Sequence, residues 1–373
     1  MTHAVPAQED GGATILEIGQ QPDVWREVAM RSDPAVDGFL SDLTARSDLR
    51  IILTGAGSSA FIGEIAAAAL RRHLGRRVDA IPTTSIVASP LDYLEPTTPT
   101  LMVSFGRSGN SPESVATTAL ADELIDDVWH LVITCDADGA LGRAHGGRSR
   151  SRVVATPERT NDTGFAMTSS LTSMLLTCLR LLGPATAEDG EALARAAEQL
   201  AGRQADIKAL AQAKKQRFFY LGSGPLAGLA RESALKMLEL TAGEVVTYFD
   251  SPLGFRHGPK SALDGDTLAI VYVSADPYTQ RYDLDIVAEI RAQLGTDAVT
   301  VISSAAIPDA LVLSGLDGLD DALIALPYLV FAQYLALFTA LEHGKTPDNP
   351  FPSGEVNRVV QGVTIYPMTQ NGR

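Results

Sequence analysis

One local pattern occurs twice in the sequence, and this repeat constrains the fold more than any other feature. The segments RIILTGAGSSAFIGEIAAAALRRHL (residues 50–74) and RFFYLGSGPLAGLARESALKMLEL (residues 217–240) each combine a short apolar strand, a G-x-G turn and an Ala/Leu-rich helix. Gly55 and Gly222 lie 167 positions apart, so each copy can head a domain of several strand–helix units. The repeat predicts an internal duplication.

Further apolar segments alternate with helical or loop stretches after each copy. The predicted strands are 77–82, 99–106, 129–135 and 151–156 in the first half, and 267–274, 297–304 and 321–327 in the second. Such alternation is typical of parallel sheets with helices on both faces. The chain is predicted to be an α/β protein of two tandem doubly wound, flavodoxin-like domains, each with three αβα layers.

The sequence between and outside the two halves suggests where the domains end. The Ala-, Glu- and Gln-rich stretch predicts one connecting helix, and the Pro-rich sequence after Gly344 predicts a tail without helix or central strand. Residues 1–21 are expected to be loose, with a capping helix at 34–46. The predicted parts are an N-terminal segment with its capping helix (1–46), a first domain (47–187), the connecting helix (188–215), a second domain (216–345) and a tail (346–373).

Composition argues against several classes of function. Of 373 residues 45% are hydrophobic, which is enough for a core in each half. The 30 Lys and Arg against 45 Asp and Glu give a formal charge of −15, which disfavours nucleic acid and anionic membranes as partners. Cys135 and Cys178 are too few for a disulfide framework or a Cys-based zinc site, so we expect no metal. Without a secretory signal at the N-terminus, the expected location is the cytoplasm.

One uncharged stretch, Ala322–Leu341, is long enough to span a bilayer. Gln333, Tyr334 and Thr339 interrupt it, and Pro327 stands where a helix would begin. We expect a buried helix of a soluble domain, and a membrane span is the alternative.

Two loops of the first half are candidates for binding a phosphate. Ligands of open α/β sheets bind beyond the carboxyl ends of the strands, where helix N-termini present free N–H groups. The first Ser-rich loop (55–60, GAGSSA) and the second Ser-rich loop (104–113, SFGRSGNSPE) both follow predicted strands. Their candidate donors are Ser58, Ser59, Arg107, Ser108, Asn110 and Ser111.

Two other interpretations of the first Ser-rich loop stay open. G-x-G-x-x-A is also a dinucleotide fingerprint, and Asp79 lies 24 residues after Gly55, near where a ribose-binding acid would be. Both loops could also be plain helix caps. The second loop favours a compact phosphomonoester, because it would crowd a dinucleotide and can surround a single phosphate.

A helix predicted from about Pro225 to before Gly243 carries a second candidate group. Glu232, Lys236 and Glu239 are spaced i, i+4, i+7 and share one face. By spacing alone this pattern also fits a solvated Glu–Lys stripe worth a few tenths of a kcal/mol. Proton transfer between two carbons of a sugar, however, needs one base that reaches both carbons and a nearby cation.

Taken together, these segments resemble the SIS (sugar isomerase) family. The two Ser-rich loops resemble its paired phosphate loops, and two such domains in tandem resemble the isomerase half of glucosamine-6-phosphate synthase. ESALKMLEL and FRHGPKSAL are similar to the sugar-handling helix and the His-Gly-Pro loop of that enzyme. The greatest similarity is to the branch described as tagatose-6-phosphate ketose/aldose isomerase or galactosamine-6-phosphate deaminase, which residues 161–174 and 357–367 also resemble.

The resemblance implies a cofactor-free enzyme with a small sugar phosphate as substrate. It assigns proton transfer from C2 to C1 to Glu239, places Lys236 in the same pocket, and gives ring opening to His257 from the neighbouring subunit of a homodimer. The expected reaction converts galactosamine 6-phosphate to tagatose 6-phosphate and ammonia. The alternatives are aldose–ketose isomerisation of a hexose 6-phosphate, or a non-catalytic SIS protein that binds a sugar phosphate.

A third group follows the strand at 151–156 and consists of Asn161, Thr168 and Ser169. These side chains either read sugar hydroxyls or cap the next helix, and the sequence leaves both roles open.

Departures from the synthase pattern narrow the expected chemistry. No N-terminal cysteine nucleophile or glutaminase-like domain precedes the first half, so glutamine is not the expected nitrogen donor. Gln361 stands where the synthases carry a tail lysine, which argues against a Schiff base from the tail. In the second half SADPYTQRYD replaces a Ser-rich loop, so we expect one phosphate site per chain.

Overall fold

The first half of the chain forms a parallel sheet. The computed structural model describes residues 11–360 and 362–368, and within them this sheet has five strands in the order β2-β1-β3-β4-β5. Its strands are β1 (Arg50–Thr54), β2 (Val78–Ala80), β3 (Thr100–Gly106), β4 (Val128–Thr134) and β5 (Ser151–Ala155). The helices are α1 (Gly12–Gly19), α2 (Gln21–Met30), α3 (Pro34–Thr44), α4 (Ser58–Leu74), α5 (Thr83–Ala88), α6 (Pro90–Tyr93), α7 (Pro112–Leu124), α8 (Ala140–His145) and α9 (Ser169–Leu182).

The second half repeats this architecture. Its parallel sheet has the order β10-β9-β8-β6-β7 over the described residues. The strands are β6 (Arg217–Gly222), β7 (Val246–Asp250), β8 (Thr267–Tyr272), β9 (Val299–Ser303) and β10 (Leu311–Val312). The helices are α10 (Ala187–Ala201), α11 (Gln204–Gln212), α12 (Pro225–Leu240), α13 (Pro252–Phe255), α14 (Thr279–Leu294) and α15 (Asp321–Glu342).

The two sheets match in topology and in the turn after the first strand. When the strands of each half are numbered from one, both sheets have the flavodoxin-like order 2-1-3-4-5. Gly57 and Gly224, directly before α4 and α12, both have φ 56°, with ψ of −130° and −126°. This conformation strains any residue with a Cβ, so glycine is required in both copies. The predicted fold class is confirmed.

The segment 321–327 was predicted as a strand, and this prediction is wrong. It forms the first turns of α15. Asp320 caps the start of this helix, because its side chain accepts a hydrogen bond from the Ala322 amide at 2.9 Å. Pro327 lies inside the helix and not at its start, so the helix lacks one N–H bond there. An apolar run buried on all sides has no strand or helix periodicity, which is why the pattern misled.

Helix α15 is long and apolar enough to cross a membrane by length and composition. In the structure residues 322–340 are buried, and the helix packs against α10, α11 and α12. The expectation of a buried helix is confirmed, and α15 forms the centre of the core.

Two strands of the second sheet escaped the sequence analysis. β7 is a half-exposed edge strand with the sequence VTYFD, and β10 contains only two residues. Both are too short or too exposed to show a continuous apolar run, so their pairing with β6 and β9 depends on tertiary contacts.

The segments flanking the first domain are more helical than expected. Residues 12–30 were predicted as loose to residue 21, yet they form α1 and α2, with Trp25 fully buried against α9 and α10. The single connecting helix is two helices, because the chain breaks at Gly202 and Arg203. In the tail, residues 345–360 and 362–368 contain neither helix nor strand, as predicted.

Candidate active site

The candidate site is a cleft of about 230 Å³ at the carboxyl ends of β1 and β3. The strand order reverses between these two strands, and open α/β sheets bind their ligands at such a point. Six of the residues predicted from the sequence line the cleft: Ser58, Ser59, Arg107, Ser108, Ser111 and Glu239.

The first Ser-rich loop closes tightly around the start of α4. A Cβ on Gly55 would lie 2.6 Å from the Ser59 Cβ, so only glycine fits there. Ser58 and Ser59 open the helix, and the positive end of the helix dipole favours an anion there. The Ser59 and Ala60 amides already donate to the carbonyls of Ala56 at 3.1 Å and Gly57 at 2.9 Å, so the hydroxyls are the main side-chain donors of this loop. The Ser58 hydroxyl donates to Glu232 Oε1 at 3.1 Å, which connects this loop to α12 of the second half.

The second Ser-rich loop lies opposite the first and ends where α7 begins. Its Ser111 hydroxyl donates to Glu113 at 2.6 Å. Asn110 is outside the cleft lining, because its Oδ1 accepts from the Ala140 amide at 2.9 Å and thereby fixes the loop against α8. The contacts of Asn110 support the loop and do not point toward a ligand.

Arg107 is a buried cation with an unusual set of partners. Its side chain is 7% exposed and donates to two backbone carbonyls, those of Phe165 at 3.2 Å and Arg358 at 3.0 Å. Burial and the nearby charge of Arg358 lower the pKa of its guanidinium. Among the residues that the structure describes, no carboxylate lies within 4 Å of it. A bound anion would supply the missing countercharge.

The charged face of α12 is buried, so the alternative of a solvated stripe is wrong. Glu232 and Lys236 are 0% exposed, with Lys236 Nζ 3.4 Å from Glu232 Oε1 and in direct contact with Glu239. Burial raises the pKa of Glu232 to about 7, despite the attraction of Lys236. Burial lowers the pKa of Lys236, but the two carboxylates outweigh this and raise it above its ordinary value. Lys236 therefore stays charged.

Glu239 is the member of this face that reaches the cleft. Its side chain is 25% exposed and lines the cleft together with residues of both Ser-rich loops. The line Ser58–Glu232–Lys236–Glu239 thus runs from the phosphate candidates to the candidate base through direct contacts. The sequence predicted the shared face but did not indicate the contact between Ser58 and Glu232.

His257 lies on the turn after α13, exposed, and is not among the residues that line the cleft of its own chain. The structure of one chain therefore does not bring it to Glu239. Its assignment to ring opening, and its contribution from a neighbouring subunit, stay predictions.

The candidates for reading sugar hydroxyls lie away from the cleft lining. Asp162 is buried and accepts from the Thr168 amide at 2.7 Å and from the Ser169 hydroxyl at 2.5 Å. Asn161 lines a separate surface groove with Glu17 and Arg159. Asp162, and not Thr168 or Ser169, therefore accepts from the first amides of α9, and the Thr168 side chain makes no capping hydrogen bond. The role of these side chains toward a sugar stays a prediction. Gln361, whose identity bore on the tail lysine, lies outside the described residues.

Sequence reasoning missed two segments that complete the cleft. Phe165 and Met167 line it from the loop before α9, and residues 356–360 of the tail line it as well. The sequence analysis noted these segments only because 161–174 and 357–367 resemble one SIS branch. That similarity did not predict that they would lie at the cleft.

The equivalent edge of the second sheet is occupied by the chain's own carboxylates. Asp283 accepts from the Ser223 hydroxyl at 2.6 Å and the Ser274 amide at 2.9 Å. Asp321 accepts from the Ser274 hydroxyl at 2.6 Å and the Ala275 amide at 2.8 Å. Donors at this edge are therefore already paired, which supports the prediction of one phosphate site per chain.

Comparisons with known proteins identify the family and agree with the fold. Residues 45–182 match the model of the SIS domain family. A Streptomyces coelicolor protein provisionally named D-galactosamine-6-phosphate deaminase AgaS is 53% identical over 97% of both chains. The Escherichia coli D-galactosamine-6-phosphate deaminase AgaS is 44% identical, also over 97% of both. The crystal structure of tagatose-6-phosphate ketose/aldose isomerase from Escherichia coli superposes with a TM-score of 0.89 at 40% identity, covering 98% of this chain and 99% of that one.

The buried pair on α12 can be tested by stability. Replacing Lys236 with Met leaves the Glu232 carboxylate buried without its cation, so the free energy of unfolding should fall by roughly 3–5 kcal/mol near pH 8. The loss should shrink toward pH 5, because a protonated Glu232 needs no ionic partner. Urea unfolding of Lys236→Met, and of Glu232→Gln/Lys236→Met, which should recover most of the loss, measures this.

A matched control is Arg231→Met on the same helix, since Arg231 pairs with Glu64 at the surface at 2.6 Å. A surface pair contributes at most about 1 kcal/mol. Equal losses for Lys236→Met and Arg231→Met would contradict the importance of the buried pair.

Proposed function

The chain belongs to the SIS domain family and, within it, to the branch of the D-galactosamine-6-phosphate deaminases, and from this membership we propose that it converts D-galactosamine 6-phosphate to tagatose 6-phosphate and ammonia. One observation carries the proposal beyond the relatives' names. Two loops suited to phosphate and a carboxylate paired with a buried lysine line the same cleft.

The phosphate end of the substrate would bind in the Ser-rich loops. The hydroxyls of Ser59 and Ser108 offer hydrogen-bond donors at the N-terminal end of α4 and in the second loop, and Ser111 would turn its hydroxyl from Glu113 to the phosphate. Arg107 adds a fixed positive charge, which suits a phosphate dianion better than hydroxyls alone. Each charge-assisted hydrogen bond contributes about 1.5–3 kcal/mol, so the loops can hold the phosphate while the rest of the sugar reacts.

The reacting end would lie against Glu239. In the open-chain amino sugar, Glu239 takes the proton from C2, electrons move through C1 to the aldehyde oxygen, and the same carboxyl returns the proton to C1. The amino nitrogen gives up a proton and the oxygen on C1 takes one up, so that C1 becomes an alcohol and C2 an imine, which water hydrolyses to the ketone and ammonia. Lys236 contacts Glu239 and orients it, and its charge offsets the negative charge that develops on the sugar oxygen.

A second candidate function is aldose–ketose isomerisation of a hexose 6-phosphate without an amino group. The name of the Escherichia coli structure, tagatose-6-phosphate ketose/aldose isomerase, favours it. The proton transfer would be the same, and only the hydrolysis of the imine would be missing. A non-catalytic role in which the chain only binds a sugar phosphate is less well supported. Burying Glu232 and Lys236 together costs solvation free energy, and binding alone does not require this pair.

We also propose a homodimer in which His257 opens the sugar ring in the partner's cleft. His257 is exposed on its own chain. Three exposed apolar side chains precede it closely in the sequence: Val246, Phe249 and Leu253. Apolar side chains grouped on an edge strand and the helix that follows it suit a protein interface. A cytoplasmic location fits as well, since a charged sugar phosphate does not cross a bilayer unaided.

The reaction is tested by an ammonia assay on the purified full chain. Galactosamine 6-phosphate should release one ammonia per tagatose 6-phosphate formed, without glutamine, and unphosphorylated galactosamine should react far more slowly because the loops would have no phosphate to hold. Turnover of tagatose 6-phosphate to its aldose without any ammonia release from the amino sugar would instead support the isomerase.

The shared site is tested by mixing two inactive variants. If Glu239 and His257 act across the dimer, Glu239→Gln and His257→Asn chains that exchange at random should form about one-half heterodimers, each with one intact site, and so recover about a quarter of wild-type activity. The measurement is ammonia release after partial unfolding and reassociation of the mixture. Activity no higher than that of the separate variants would place both residues in one chain or exclude His257.

A further inference from the structure

Helix α1, which the sequence analysis expected to be loose, makes two polar contacts with segments that line the cleft. The first is at its N-terminus. Asp348 of the tail accepts from the amides of Ala13 at 3.0 Å and Thr14 at 2.8 Å, and from the Thr14 hydroxyl at 2.6 Å. The preceding Gly11 has no side chain to cap the helix, so a tail residue 334 positions away performs this role.

The second contact is made by Glu17, one turn further along α1. Its carboxylate accepts from the Thr163 amide, from the Thr163 hydroxyl at 2.8 Å and from the Gly164 amide at 3.1 Å. Glu17 is 7% exposed, and no cation pairs with it in the described part of the chain. A buried carboxylate that meets only amides and a hydroxyl fixes the backbone of the loop that it contacts.

Both contacts lead to Arg107 by short paths. The loop that Glu17 holds continues directly into Phe165, whose carbonyl accepts from Arg107 Nη1. The tail that Asp348 holds continues to Arg358, whose carbonyl accepts from Arg107 Nη2. The rings of Phe165 and Phe351 pack 5.2 Å apart and join the two segments between these points.

We propose that Glu17 and Asp348 are positioning residues that orient the Arg107 guanidinium toward the phosphate of the substrate. A guanidinium has five N–H donors in a rigid plane, so two carbonyls fix the direction in which its other donors point. If either carbonyl moved, Arg107 would have to be ordered by the ligand itself, at a cost in affinity. The inference rests on the proposed phosphate site and extends it to a helix outside the cleft.

The test measures binding of inorganic phosphate to the full chain by calorimetry. Glu17→Gln removes the negative charge, leaves one amide oxygen for the Thr163 donors, and places an N–H₂ where Oε2 accepts from the Gly164 amide at 3.2 Å. The loop should be held less firmly, and the dissociation constant should rise about tenfold. Glu198→Gln is the matched control, because Glu198 of α10 pairs with Arg26 at 2.7 Å at the surface and contacts neither the loop before α9 nor the tail. It should change the constant less than twofold.

A double-mutant cycle separates positioning from a general loss of structure. In an Arg107→Met background Glu17→Gln should have almost no further effect on phosphate binding, because the group it orients is gone. In turnover, Glu17→Gln should raise KM with kcat nearly unchanged, since phosphate binding is common to ground and transition states. An unchanged phosphate affinity, or an equal tenfold loss in the Arg107→Met background, would overturn the proposal.

If Glu17→Gln does not fold, Gly164→Ala tests the same link. A Cβ there would lie 2.9 Å from both Glu17 Oε2 and Thr14 Oγ1, which displaces the loop without removing a charge. The same two results are expected. Because the readout is phosphate binding, the outcome does not depend on which sugar phosphate the enzyme converts: a chain that releases no ammonia but shows this cycle contradicts the proposed reaction only.

Discussion

A line of mostly buried polar and charged side chains connects α4 of the first half with α12 of the second half. Ser58 at the start of α4 donates to Glu232, Glu232 lies beside Lys236, and Lys236 contacts Glu239 at the edge of the cleft. Groups without access to water cannot find other partners, so the geometry of this line is fixed by the packing of α4 against α12. These contacts therefore set the distance between the Ser-rich loops and Glu239.

The two halves differ at the carboxyl edges of their sheets, within the residues that the structure describes. Both sheets have the same strand order and the same glycine turn, and either could present helix N–H groups to an anion. In the first half the donors face an open cleft beside Arg107. In the second half Asp283 and Asp321 accept from the equivalent donors. Helix α12 instead contacts the first half through the face that carries Glu232, Lys236 and Glu239. In the proposed reaction the first copy would bind the phosphate and the second would supply the base.

Much of this could be predicted from local sequence. The strands of the first sheet and helix α12 were visible because each has a clear period or glycine boundary, and six predicted residues meet in the cleft. Three kinds of feature could not be predicted. The run at 321–327 is buried on all sides and has no informative period, β7 and β10 form only through pairing, and α1 depends on Asp348, which is distant in sequence. The same holds for Thr168 and Ser169, whose hydrogen bonds depend on the position of Asp162 in space.

In the proposed reaction Glu239 moves the C2 proton of a sugar phosphate that the Ser-rich loops hold. The most direct measurement is deuterium exchange at C2 of bound galactosamine 6-phosphate in heavy water, comparing wild type with Glu239→Gln and with Glu244→Gln, a surface carboxylate paired with His343 at 3.0 Å. A positioned base contributes roughly 10²–10⁴-fold, so exchange in Glu239→Gln should fall by at least that factor while phosphate affinity and the Glu244→Gln control stay at wild-type values. Exchange at the wild-type rate in Glu239→Gln would contradict the claim and leave the charged face of α12 with a structural role alone.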